Sequence, residues 1–131
     1  MSAKSSCAYI PASVEGLNDR CFDKFRNLAC IAFESGSLLR RIGDCVFLDC
    51  TKLSFMYIQQ NVTSLERLCF GRCSDLGNVT FERDSQLKVI GPSVFSACGM
   101  PFVHVPENIK RFIDGCFNEC GMFSLTFEPN A

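Results

Sequence analysis

Leu53-Ser54-Phe55-Met56-Tyr57-Ile58, then Leu65, then Leu68-Cys69-Phe70-Gly71-Arg72-Cys73 is the stretch that decides the fold. Slid along the chain as a template, it recurs. Its Phe anchor falls at Phe22, Phe47, Phe70, Phe95 and Phe117, with gaps of 25, 23, 25 and 22 residues. A period of that size marks one supersecondary unit stacked on copies of itself, each copy unable to bury its apolar face alone. Residues 1–131 therefore read as a single solenoid of about five repeats.

Each repeat opens with apolar residues at positions one, four and six: Leu28, Ile31, Phe33; Leu53, Met56, Ile58; Leu76, Val79, Phe81; Met100, Val103, Val105; Met122, Leu125, Phe127. The last two of each trio are two apart, as on the inward face of a strand. Ala8 and Ile10 supply a degenerate first copy, so a parallel sheet of about six short strands is expected. The loops after the strands alternate in length. Glu34-Ser35-Gly36-Ser37 and Glu82-Arg83-Asp84-Ser85 carry the extra residues, and both are turn-prone surface sequences.

Two further apolar columns follow, Val14, Leu39, Val62, Leu87, Ile109 and Leu17, Ile42, Leu65, Ile90, Phe112. The last segment of each repeat places apolar residues at i, i+1 and i+4, as in Cys69-Phe70-Gly71-Arg72-Cys73. That spacing fits a short helical or 3₁₀ turn with one buried face. The fold class expected is thus an α/β solenoid, strands on the concave side and helical turns on the convex side.

Taken together, these columns resemble the BspA-like class of leucine-rich repeats. Ile10-Pro11 and Val105-Pro106 resemble one of its strand endings, and Phe33-Glu34, Phe81-Glu82 and Phe127-Glu128 the other. Ile42-Gly43 and Ile90-Gly91 match its Ile-Gly step. Asn18 and Glu66 stand where that Gly would be, and Phe25 where the turn Cys would be. The Cys-rich, alternating form is most similar to the surface-antigen-like sets of trichomonad parasites. The resemblance covers essentially the whole chain and implies adhesion to host proteins and display at the cell surface.

Composition narrows the function classes. A formal charge of -1 gives no bulk electrostatic case for a nucleic-acid partner. No run approaches the ~20 apolar residues of a membrane span, so no membrane insertion is expected. Met1-Ser2-Ala3-Lys4-Ser5-Ser6-Cys7 is polar and lacks a signal-like apolar run. That predicts a cytoplasmic chain, in tension with the surface location the resemblance implies. It also predicts that the ten Cys are free thiols.

Cys69-x3-Cys73 and Cys116-x3-Cys120 have the spacing of paired metal ligands, yet their columns are filled elsewhere by Val46, Val94 and Phe25. No repeat supplies the four converging ligands a zinc site needs, and Cys is a common small core filler. No metal and no cofactor is expected. His104 is the one histidine and the one ready general base. Thr80 and Thr126 flank it as weak nucleophiles, and Cys30 lies strands away, so no enzyme activity is expected.

What remains is a surface. The outward strand positions read Cys7, Cys30, Phe55, Asn78, Phe102, Ser124, then Tyr9, Ala32, Tyr57, Thr80, His104, Thr126. A third column at the strand exits reads Pro11, Glu34, Gln59, Glu82, Pro106, Glu128. The candidate binding face for a protein ligand is Phe55, Tyr57, Phe102, His104 and Tyr9, ringed by Glu34, Glu82 and Glu128. Aromatic groups near carboxylates have the composition of a protein-binding hot spot. Against this stands a purely structural reading, in which the aromatics shield the strand backbone. The alternative function is an intracellular scaffold or assembly unit that self-associates through uncapped solenoid ends.

Overall fold

The computed structural model describes residues 6–100, 102–106, 111–112 and 124–128. The chain winds as a parallel β-solenoid. Six longer strands occupy one side: β1 (Ser6–Ile10), β3 (Leu28–Phe33), β5 (Phe55–Ile58), β7 (Asn78–Phe81), β9 (Phe102–Pro106) and β11 (Ser124–Glu128). Two-residue strands lie between them: β2 (Gly16–Leu17), β4 (Arg41–Ile42), β6 (Ser64–Leu65), β8 (Val89–Ile90) and β10 (Arg111–Phe112).

The short strands pair in parallel as one five-stranded sheet in the order β2-β4-β6-β8-β10. One apolar column, Leu17, Ile42, Leu65, Ile90 and Phe112, runs straight through it. Its Gly step has a steric cause. The N–H groups of Gly43 and Gly91 donate to the carbonyls of Leu17 (3.1 Å) and Leu65 (2.9 Å) in the preceding coil. A Cβ at either glycine would stand 2.9 Å from that same carbonyl oxygen, closer than side chains tolerate.

The long strands depart from the expected continuous sheet. They are hydrogen-bonded as three pairs, β1 with β3, β5 with β7, and β9 with β11. Loop length explains the break. The first two pairs each join a coil with the short loop to the following coil with the longer one. In the first two pairs the longer loop reaches back: Glu34 and Glu82 donate their N–H groups to Ile10 and Ile58, both at 2.9 Å. The next coil has the shorter loop and cannot follow the bulge, so β3 and β5 do not form a ladder.

The convex side corrects a second expectation. No helix, α or 3₁₀, occurs among the described residues. Each of the four described coils instead carries two left-handed residues four apart: Arg20 and Lys24, Cys45 and Asp49, Leu68 and Arg72, Ser93 and Ala97. Alternate N–H groups leave the coil. Those of Arg20, Phe22 and Lys24 donate to Asp44, Val46 and Leu48 of the next coil at 2.9, 3.0 and 2.7 Å. The intervening Cys21, Asp23 and Phe25 close turns onto Asn18, Arg20 and Phe22 at 3.1, 3.1 and 3.2 Å. A positive φ at the third residue of a turn is the type II signature. A helix would need every one of those N–H groups internally. Bonding between coils claims half of them, so the segment becomes tandem turns while keeping its i, i+1, i+4 buried face.

That face holds the core. Phe47, Phe70 and Phe95 are wholly buried and Phe22 is half-buried. Their rings form one stack, 5.5 Å from Phe22 to Phe47, 5.4 Å to Phe70 and 5.8 Å to Phe95, with interplanar angles of 7°, 7° and 4°. The interior row expected from the repeat is therefore present, and Phe117 lies outside the described residues. Beside it runs a row of thiols. Cys50, Cys73 and Cys98 donate to the carbonyls of Phe22, Phe47 and Phe70 at 3.2, 3.1 and 3.1 Å, each in the preceding coil.

Free thiols are thus observed at Cys21, Cys45, Cys50, Cys69, Cys73 and Cys98, while Cys116 and Cys120 lie outside the described residues. Cys7 and Cys30 depart from the expectation. They form a disulfide between β1 and β3, with Cα atoms 4.6 Å apart. Core thiols are held parallel by the carbonyls they bond. Cys7 and Cys30 are register partners on the outward face, where no such acceptor holds the thiols apart, and their separation suits a bridge.

Candidate binding face

The pleat of each long strand sends one set of side chains into the core and leaves the other outside. The burial pattern of β5 alternates accordingly, with Met56 and Ile58 inside and Phe55 and Tyr57 outside. The expected outward columns are in register: Cys7 with Cys30, Phe55 with Asn78, Phe102 with Ser124, Tyr9 with Ala32, Tyr57 with Thr80, and His104 with Thr126.

Three of the expected face residues are large and open, Tyr9 at 61% exposure, Phe55 at 49% and Tyr57 at 43%. His104 is exposed on β9. Phe102 and Glu128 lie in β9 and β11, and their side chains lie outside the described residues. The Tyr57 hydroxyl titrates above its ordinary value, from partial burial first and the Glu82 carboxylate second.

The carboxylates have a further task. The Ala12 N–H donates to Glu34 Oε1 at 2.7 Å, and the Gln60 N–H donates to Glu82 Oε1 at 2.7 Å. Each Glu thereby clamps the preceding coil just past its strand. Because ionised acceptors make strong bonds to N–H donors, this repeated contact ties the coils of a pair together at the rim of the face.

Between the first two pairs the face opens into a cleft of about 380 Å³, bounded by β3, the loop after it, and the exit of β5. Gln59 is among the residues lining it; the sequence places it in the strand-exit column without singling it out for binding. Only 5% of Gln59 is exposed. Its Nε2 donates to the Tyr57 carbonyl at 3.0 Å, whereas its buried Oε1 has no partner. The usable signal was a departure within a column. Pro11 and Pro106 end the other short-loop strands, and only Gln59 brings a polar side chain to that position.

Chemically the described face offers exposed aromatic rings beside carboxylates. Among the described residues no group of three or more His, Cys, Asp or Glu could hold a metal ion. Likewise, no described helix is long and apolar enough to cross a membrane.

Comparison with known proteins agrees with the architecture. The family model for the BspA type leucine rich repeat region matches residues 2–124 in six copies. No curated protein matches the chain. The pneumococcal vaccine antigen PcpA superposes with a TM-score of 0.86 at 21% identity, over 98% of this chain and 31% of that one. A leucine rich cell surface protein from Faecalibacterium prausnitzii gives 0.66 at 19%, over 93% and 38%. The T. pallidum leucine rich repeat protein TpLRR gives 0.82 at 22%, over 97% and 72%. The chain thus spans about a third of the first two, and at these identities the likeness concerns the fold.

Proposed function

This chain belongs to the BspA-type leucine-rich-repeat family, and from that premise we propose that it is a non-catalytic module that binds a protein through its long-strand face. The observation that carries this reading is the exposure of Tyr9, Phe55 and Tyr57 on strands whose opposite faces are locked in the core. Aromatic side chains held on rigid strands bury large area at little conformational cost when a partner covers them. His104 extends the same face as a contact, with no general-base role. Solved relatives named as a vaccine antigen and a cell surface protein make surface display the natural setting.

The test is selection from a displayed peptide library with the wild-type chain, then binding of the enriched sequences to Phe55→Ser/Tyr57→Ser. The double variant should keep the melting temperature of the wild type and bind the enriched peptides at least tenfold more weakly. Unchanged binding by a folded variant refutes the reading.

A further inference from the structure

The first strand pair differs from the second in what holds it. In β5 two side chains, Met56 and Ile58, are buried, and Phe55 faces Asn78 across the pair on the outward side. In β1 only Ile10 is buried, and the outward pair is the Cys7–Cys30 bridge. The two ends of β1 are also held differently. At the exit the Ile10 carbonyl accepts from the Glu34 N–H at 2.9 Å, and the Ala12 N–H donates to Glu34 Oε1 at 2.7 Å. At the entry the register shifts between Ser6 and Cys7, and ahead of the bridge the Ser6 N–H donates to the Asn27 carbonyl at 2.8 Å.

The bridge lies where a reagent can meet it. Cys7 is exposed and Cys30 half-buried, whereas Cys45, Cys50, Cys69, Cys73 and Cys98 are buried. Thiol–disulfide exchange depends on access to the sulfur under attack, so Cys7 is the open end. Tyr9 stands two residues further along β1, on the same outward side. At 61% it is more exposed than Phe55 or Tyr57. Its register partner is Ala32, too small to brace the ring from β3. The place of Tyr9 on the binding face thus depends on β1 lying against β3, and ahead of Ile10 the bridge is the strongest link between them.

We propose that the Cys7–Cys30 bridge is a thiol-exchange site, open to a dithiol reductant, whose redox state decides whether Tyr9 belongs to the binding face. A thiolate of the reductant attacks Cys7 Sγ and the Sγ–Sγ bond breaks. Cys30 departs as a thiolate and takes a proton from water. The reductant's second thiolate then attacks its own sulfur in the mixed disulfide and releases Cys7, which is protonated in turn. Two electrons and two protons pass to the chain, and the dithiol leaves as a disulfide. Residues 6–9 hold no fully buried side chain, so once freed they swing about Ile10 and Tyr9 loses its fixed place. This rests on the protein-binding reading above and adds the control of that site.

The test treats the ¹⁵N-labelled full chain with dithiothreitol and follows bridge opening by mass. Ile10 accepts from Glu34, so alternation along the ladder makes Ala8 the next residue of β1 bonded to β3. Met56 holds the matching position in the unbridged β5–β7 pair, where Ile58 accepts from Glu82. Without ligand, reduction should speed amide exchange at Ala8 at least tenfold and leave Met56 unchanged. Peptides enriched by the wild-type chain under non-reducing conditions should bind at least threefold more weakly after reduction and recover on reoxidation. Cys7→Ser/Cys30→Ser should bind as the reduced chain does, with or without dithiothreitol. Tyr9→Ser with the bridge intact should bind as weakly and respond no further to reductant. A bridge that excess dithiothreitol leaves closed, unchanged exchange at Ala8, or equal acceleration at Ala8 and Met56 overturns the proposal. These readings come from the wild type, so they decide the matter even if a variant fails to fold. Equal peptide binding in both redox states, with loss in Phe55→Ser/Tyr57→Ser, removes the gate alone. Peptides retained by that variant remove the aromatic face, and Ala8 exchange, read without ligand, still decides the release of β1.

Discussion

Phe70 concentrates the energetics of the repeat in one side chain. It is wholly buried, with a ring above and a ring below at 5.8 and 5.4 Å. Truncation would remove its own burial and strip one face of contacts from both Phe47 and Phe95. The main chain there is pinned by the Phe70 N–H to the Val94 carbonyl at 3.1 Å and by the Cys98 thiol to the Phe70 carbonyl. Little collapse can fill the hole. Phe70→Ala is expected to cost ~3–5 kcal/mol in urea unfolding. Phe25→Ala should cost far less, because that ring is 52% exposed; equal losses would mean that the stack is not the core. This row was legible in the sequence because a large side chain recurring at a fixed interval has one economical explanation. Gln59 was not legible in the same way. Its importance lies in a missing partner, which depends on where the backbone of two coils diverges.

Among the elements, β1 shows what a strand needs at the edge of a pair. Ile10 is its buried side chain, Ala8 is partly buried, and Ser6, Cys7 and Tyr9 are exposed. Apolar burial alone therefore holds it weakly. The Cys7–Cys30 bridge closes a sequence separation of 23 residues. Chain-entropy arguments value such a loop at about 3 kcal/mol. Cys30→Ser should lose about that much in urea unfolding, and reductant should bring the wild type to the same midpoint while leaving the variant unmoved. Identical midpoints without reductant would show that the bridge contributes nothing. The expectation of free thiols was drawn from the polar N-terminus, and it holds in the core at Cys50, Cys73 and Cys98, whose thiols bond carbonyls of the preceding coil. It failed on the outward face, where no carbonyl accepts from the thiols. The convex turns were misread for a related reason. Apolar residues at i, i+1 and i+4 suit a helical turn and a pair of type II turns alike. Only the bonds to the next coil separate the two, and those involve residues some 25 positions away.

For the whole molecule, stacking coils has an electrostatic consequence that one coil would not show. Solvent is excluded from the described core, and thiols recur within it. The Cys50 thiol is pushed up from its ordinary 9.0 to about 12, by burial first and then by nearby negative charge. Cys69 and Cys73 are raised well above 9.0, again by burial first. Below pH 9 these thiols are protonated in both folded and unfolded chains, so their contribution to stability is complete. Above it the unfolded chain releases their protons and the folded chain retains them. Stability must then fall as pH rises toward the folded values, by up to ~1.4 kcal/mol per pH unit for each such thiol. Tyr and Lys titrate in the same window, so the decisive comparison is with Cys69→Val. Val46 and Val94 occupy that column in the neighbouring coils and are fully buried there, so the replacement suits the packing. Urea midpoints measured from about pH 8 to about pH 10.5 should decline less steeply in Cys69→Val, by one thiol's share of the slope. Parallel declines would mean that Cys69 ionises in the folded chain, and that the interior admits water where the stacked Phe rings exclude it.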